Sequence, residues 1–217
     1  MKIISVISRK IRADGLVGAT IFLSGRIFHK ARSLILSSIL NAPGINLGAG
    51  CQIFGRRFIS FGASFSAHKS LWLEAVCEYK GVQFFPKIVL GNRVNISQNV
   101  HITCINKIKI GNDVLIGSNV YISDHNHGIY NNREFAHSSP KQPPAERELY
   151  SAGSVVIEDN VWIGDSVNIV GPLTIGFGSI VASNTVVRQD VPPHVIVAGI
   201  PARIIKKFNF QTASWEK

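Results

Sequence analysis

Counting by six from Ile157 lands on Ile163, Ile169, Ile175, Val181 and Val187, all aliphatic residues that favour strands. Four places beyond each of these six sit Val161, Val167, Leu173, Ser179, Thr185 and Val191. The same ruler fits Leu90, Ile96 and Ile102, then Ile110, Ile116 and Ile122, with a weaker early copy through Leu47, Ile53, Phe61, Ala67 and Leu73. A period of six is neither the 3.6 of a helix nor the alternation of a plain strand. It fits a short strand followed by a turn. Three such units close one triangular coil, with the aliphatic residue of each unit pointing into a prism. Asn, Asp and Gly at Gly91-Asn92, Gly111-Asn112-Asp113 and Asp159-Asn160 suit the corners, because they tolerate positive φ. Each coil needs neighbours to bury its ends, so stability grows by stacking.

The ruler breaks in three places. It slips by two residues between Ile102 and Ile110, which reads as a corner bulge. Residues 79–86 interrupt it as an excursion. Residues 124–154, with Pro140, Pro143 and Pro144, leave the prism as a long loop, and loops of that length in compact domains are usually functional or disordered. Residues 1–44 carry spaced apolar residues (Ile3, Ile4, Ile7, Ile11, then Leu34, Ile35, Ile39) and read as one or two short amphipathic helices. Residues 202–217 are expected to close the open edge of the last coil with a short helix. The expected organisation is an N-terminal helical cap over 1–44, an all-β prism over 45–201 and a C-terminal cap over 202–217.

Composition narrows the function classes. Hydrophobic residues make up 46% and charged residues 17% of the 217, which excludes intrinsic disorder. The mean hydropathy is +0.19, yet no stretch of about 18 to 20 residues is free of charges and turn formers, so no transmembrane helix is expected. Cys51, Cys77 and Cys104 form no close pair, so neither a disulfide framework nor a zinc knuckle is expected; they read as small buried apolar residues in a reducing cytoplasm. The net charge of +10 points to an anionic partner. No aromatic-basic nucleic-acid module accompanies it. The excess is partly local: Lys2, Arg9, Lys10, Arg12, Arg26, Lys30 and Arg32 stand against Asp14 alone in the first 35 residues. That basic head either caps the first coil or touches an anionic membrane surface.

The hexads, the loop opening Ile122-Ser123-Asp124-His125-Asn126-His127-Gly128, the run Val161-Trp162-Ile163-Gly164 and the ending Gly199-Ile200-Pro201-Ala202-Arg203 together resemble the hexapeptide-repeat acyltransferases. Within them the chain is most similar to galactoside, maltose and nodulation O-acetyltransferases, above all those serving O-antigen and capsule synthesis. The resemblance covers about residues 45–207. It implies a left-handed parallel β-helix, a homotrimer and acetyl-CoA bound in the groove between neighbouring prisms. The acceptor it implies is a sugar hydroxyl on a free, nucleotide-linked or lipid-linked glycan, acetylated in the cytoplasm or at the inner face of its membrane, with no metal required.

Moving an acetyl group from a thioester to a sugar hydroxyl requires a base for the hydroxyl proton and donors for the developing oxyanion. By resemblance His125, the first histidine of the loop, is the general base. His127 is an alternative base or an acceptor contact. Asp124 is a candidate to orient His125 or raise its pKa, although adjacent residues on an extended chain point apart. Ser97 stands where the galactoside branch has an asparagine, and either it or Asn95 is a candidate to help hold the substrate. The resemblance puts Asp165 and Ser183 beside the pantetheine arm and Trp162 near the cofactor or the trimer seam. Arg188, Arg203 and Lys206 suit the CoA phosphates, with Gln189 where the family often has a lysine. Competing readings are an N-acetyltransferase on an amino sugar, nucleotide sugar or serine, a γ-class carbonic anhydrase holding zinc across subunits through His101, His125 and His127, and a non-enzymatic repeat scaffold.

Overall fold

The computed structural model describes residues 12, 15–17, 31–130 and 137–217. Its strands are short and fall mainly into three sheets of nine, six and five strands, parallel within the coils, which the chain visits in turn. The first sheet takes, among others, Asn46–Leu47, Asn95–Ile96, Leu115–Ile116, Trp162–Ile163 and Ile180–Val181. The second takes Gln52–Phe54, Trp72–Ala75, His101–Cys104, Tyr121–Ser123, Asn168–Val170 and Val186–Val187. The third runs from Ile59–Phe61 to Leu173–Ile175. Each coil therefore contributes one strand to each side of a three-sided prism.

The six-residue ruler is the register of this prism. Leu47, Ala67, Ile96, Ile116, Ile163, Val181 and Val197 stack in one inner column. Ile53, Leu73, Ile102, Ile122, Ile169 and Val187 form the second. Phe61, Leu90, Ile110, Ile157 and Ile175 form the third. All are buried except the half-buried Ile53 in the first coil. Val161, Val167, Leu173, Ser179, Thr185 and Val191, four residues after a ruler position, are buried as well. Burying such an aliphatic side chain stabilises by roughly 1.5–3 kcal/mol. Residues in the left-handed region mark the corners, among them Asn99, Asp113, Asn119, Asn160 and Asn184.

Residues 79–86 do leave the prism: Glu78–Tyr79 and Val82–Gln83 form a small antiparallel hairpin. In the long loop, Asn126–His127 and Leu149–Tyr150 pair antiparallel as a stem. The loop packs on the small hairpin, with Lys80 Nζ 2.7 Å from Glu146 and Tyr79 Oη donating to the Ala145 carbonyl at 3.0 Å.

The C-terminal cap is not a helix. Arg203–Asn209 runs antiparallel to Val195–Ala198 and is followed by Ser214–Glu216, so the first sheet grows by two antiparallel strands. The last coil leaves a row of unpaired backbone groups at its edge, and a strand satisfies them where a helix cannot. At the other end residues 31–39 are helical. This helix docks on the first coil through Ser33 Oγ, which donates to the Ile45 carbonyl, and through Leu36 against the core. Leu34, Ile35 and Ile39 face outward, exposed. The expected apolar positions Ile3, Ile4, Ile7 and Ile11, and most of the basic head, lie outside the described residues. Among the described residues no helix is long and apolar enough to cross a membrane. Only Cys104 of the three cysteines is buried; Cys51 and Cys77 are half-buried, and all are free.

Candidate active site

The loop leaves the prism at Asp124, and this exit builds the site. In the coil above, the corner at Ile105, Asn106 and Lys107 would ordinarily hydrogen-bond to the backbone of the next coil. That coil has departed, so the Asp124 carboxylate takes its place. Its Oδ1 accepts from the Ile105 N–H at 3.0 Å, and its Oδ2 from the N–H groups of Asn106 and Lys107 at 2.9 and 2.8 Å. The Cys104 thiol adds a further bond at 3.2 Å. Burial alone would raise the Asp124 pKa, but the bonds from His125, Ile105, Asn106 and Cys104 outweigh it and hold the carboxyl below its usual value. Burial and the neighbouring carboxylate push the Cys104 thiol far above its ordinary range, so Cys104 is a fixed donor.

The same carboxylate holds His125. Asp124 Oδ1 lies 2.9 Å from His125 Nδ1, with the two side chains 0% and 8% exposed. The expectation that adjacent side chains point apart fails because the chain bends out of the strand at Asp124. An ionised carboxylate only accepts, so Nδ1 carries the proton and Nε2 is left with its lone pair. Ser123 Oγ accepts from the His125 N–H at 3.2 Å and donates to its carbonyl at 3.0 Å, fixing the backbone on which the ring is mounted.

His125 opens onto a cavity of about 440 Å³ lined by Glu74, His101, Thr103, Tyr121 and His127, with the Tyr79 hairpin on its rim. His127 lies on the loop stem, exposed, its Nδ1 3.5 Å from Tyr79 Oη. It shares the cavity but has no carboxylate partner comparable to Asp124 among the described residues. Among the described residues of one chain, no three His, Cys, Asp or Glu side chains are grouped to hold a metal ion.

The remaining candidates fall in separate places. Trp162 is half-exposed on the outer face of the first sheet, and its row continues through Ile180 and Ile196 to Lys206. Asp165 and Ser183 stack along the corner beside that row, where Asp165 Oδ1 accepts from the Ser118 N–H at 2.6 Å and Ser183 Oγ accepts from the Asp165 N–H at 3.2 Å. Asp165 is thus already engaged in closing the corner. Gln189 and Arg203 line one cleft of about 300 Å³. Arg188 instead lines a cavity of about 230 Å³ under the loop, with Asn126, Tyr130 and Tyr150. Ser97 follows the strand Asn95–Ile96 at a corner and does not line the His125 cavity. Sequence reasoning missed Glu74, Thr103 and Tyr121, which meet His125 only because the coils stack in this register.

No family model matches the chain. A hexapeptide-repeat acetyltransferase of Vibrio cholerae, VCA0836, solved with acetyl coenzyme A, superposes with a TM-score of 0.51 at 29% identity over 83% of this chain and 78% of that one. WbbJ of Escherichia coli K12, assigned to lipopolysaccharide biosynthesis as an O-acetyl transferase, is 41% identical over 167 residues, 77% of this chain and 81% of WbbJ. The chain belongs to the hexapeptide-repeat acetyltransferases. A further member of these acetyltransferases, the galactoside O-acetyltransferase of the same organism, is 42% identical over 62 residues, 29% of this chain and 30% of that enzyme. AntD of Bacillus cereus, an N-acyltransferase, shares the fold of this hexapeptide-repeat acetyltransferase with a TM-score of 0.63 at 18% identity over 79% of this chain and 84% of its own.

Proposed function

We propose that the chain is an acetyl-CoA-dependent O-acetyltransferase acting on a sugar hydroxyl in surface-polysaccharide synthesis. The observation that carries this reading is His125, presented to a cavity with its Nδ1 held by the buried Asp124. As the acceptor oxygen attacks the thioester carbon, its proton passes to His125 Nε2, and Asp124 stabilises the imidazolium that forms. Collapse of the tetrahedral adduct breaks the C–S bond, and the departing thiolate recovers the proton. The protein forms no covalent bond to the acetyl group. His127 is a contact for the acceptor on the far wall.

Acetyl-CoA fits the first sheet. Trp162 offers an exposed ring beside the corner of Asp165 and Ser183, and Lys206 closes the row. Arg203 and Lys206 have no ion-pair partner among the described residues, which leaves them for the diphosphate and 3′-phosphate, with Gln189 beside Arg203. Ser97 has a supporting place at the corner above. The prism is read as left-handed from the resemblance of its repeats, and the protein as a homotrimer, since Leu115, Trp162, Ile180 and Ile196 leave an apolar row on one outer face. The exposed Leu34, Ile35 and Ile39, beside a basic head, support peripheral contact with the anionic inner face of the cytoplasmic membrane.

The test is a screen of acceptor glycans with acetyl-CoA, read by mass for a gain of one acetyl group and then treated with mild alkali. An O-acetyl ester is lost in alkali and an amide survives. An alkali-stable product would make the enzyme an N-acetyltransferase.

A further inference from the structure

The outer face of the second sheet carries a row of rings, one per coil, that acetyl transfer itself does not require. Trp72, His101 and Tyr121 occupy successive partner positions in adjacent strands. Their ring centroids are 5.7 and 5.3 Å apart, and Phe54 leans on Trp72 at 5.1 Å. The near end of the row lies in the cavity: His101 and Tyr121 line it with His125. The far end is open, with Trp72 39% and Phe54 40% exposed. Two details speak against plain packing. Among the described residues, His101 Nε2 is buried without a hydrogen-bond partner, a cost that an apolar side chain would avoid. Trp72 Nε1 donates to Glu74 at 2.8 Å, so an exposed tryptophan is tied to a carboxylate on the cavity wall.

Exposed aromatic faces receive the C–H face of a pyranose, and a carboxylate beside them receives its hydroxyls. A few fixed polar groups on an apolar platform are the usual make-up of a ligand site. The row advances by one strand spacing, about 4.8 Å, per ring, close to the advance of a glycan chain per sugar. Burial holds His101 below its ordinary pKa, partly offset by Glu74 and reinforced by His125, so the row presents a neutral surface beside the base.

We propose that Tyr121, His101, Trp72 and Phe54, with Glu74, form an acceptor track, and that the acceptor is an oligosaccharide of at least three sugars. Its reacting sugar sits at His125 and the following sugars lie on Trp72 and Phe54. The proposal rests on the O-acetyltransferase reading, and its occupant follows from the continuity of the row with the catalytic cavity.

The test uses the full-length protein and ladders of glucose, galactose and N-acetylglucosamine oligosaccharides, one to four units long. Binding is read by saturation-transfer NMR without acetyl-CoA, and transfer by mass with it. The expected result is that three- and four-sugar ligands bind better than the monosaccharide. Trp72→Ala should reduce that preference by about two- to tenfold, through KM and not kcat, and Trp72→Phe should restore most of it. Length-independent binding, no binding of any ladder, or equal losses on short and long sugars would each overturn the track. So would a drop in oligomer mass by light scattering with length preference intact, which would make the row a contact with a second copy of the chain. Length-dependent binding lost in Trp72→Ala, with no acetylation of any sugar, would leave the track standing and remove the O-acetyltransferase reading.

Discussion

Replacing Asp124 with asparagine keeps the shape of the side chain and removes one acceptor. The carboxylate receives Ile105 N–H and His125 Nδ1 on one oxygen, and Asn106 N–H, Lys107 N–H and the Cys104 thiol on the other. If the amide oxygen stays on the first side, the NH2 group faces the N–H groups of Asn106 and Lys107. These donors are only part-buried, and an orphaned donor costs at most about 1–3 kcal/mol, so the fold should lose about 1–4 kcal/mol. If the amide turns over, the NH2 faces His125 Nδ1 and drives the proton to Nε2, which removes the base. Either orientation should lower turnover by about 10²- to 10⁴-fold. Urea unfolding gives the first quantity, and release of CoA thiol in the presence of an acceptor gives the second. The pH dependence has a defined sign. The folded pKa of Asp124 is depressed, so its contribution is fully present above the unfolded value near 3.9 and is lost as pH falls through the lower folded value. The stability gap between wild type and Asp124→Asn should therefore shrink as pH falls below about 4. A variant that unfolds within about 0.5 kcal/mol of wild type and keeps turnover within about threefold would refute this account of the corner.

Arg203→Ala should weaken acetyl-CoA binding by about ten- to a hundredfold, as expected for loss of a charge-assisted contact worth 1.5–3 kcal/mol, and should spare a truncated thioester without the nucleotide; equal losses on both thioesters would show that the arginine acts through structure. Ile163→Ala, in the middle of a fully buried column, should cost about 2–5 kcal/mol in urea unfolding, and a cost below about 1 kcal/mol would contradict the stacked-column core. Leu34→Ser/Ile35→Ser/Ile39→Ser should abolish salt-sensitive co-sedimentation with anionic vesicles while leaving the prism folded; unchanged binding would move any membrane contact away from this helix.

The prism was legible because its core repeats every six residues. A single outward shift of register would expose every aliphatic member of a column, so the pattern in the chain and the pattern in space are the same. The tail was misread for a physical reason. Arg203 to Phe208 has no clear alternation, and what makes it a strand is the unpaired edge beside it, a partner that no local pattern announces. The contact between Asp124 and His125 was hidden by a rule that holds within strands and fails where the chain bends away. The role of Cys104 was hidden too, since a lone cysteine reads as a small apolar residue until its neighbour is known. The row on the second sheet had a faint signal: Trp72, His101 and Tyr121 each directly precede an inward member of the ruler, Leu73, Ile102 and Ile122. The inserted hairpin at 78–83 makes their spacings unequal, so the alignment appears only after the coils are stacked.

The central claim is that His125 Nε2 takes the proton of a sugar hydroxyl. The most direct measurement compares acceptor-dependent acetyl transfer by wild type, His125→Ala and His127→Ala, with acetyl-CoA affinity measured alongside by calorimetry. The account predicts that His125→Ala loses about 10²-fold or more in turnover while binding acetyl-CoA as wild type does, and that His127→Ala keeps most of its turnover with a raised acceptor KM. A dead His127→Ala beside a His125→Ala that still transfers acetyl at near the wild-type rate would contradict it.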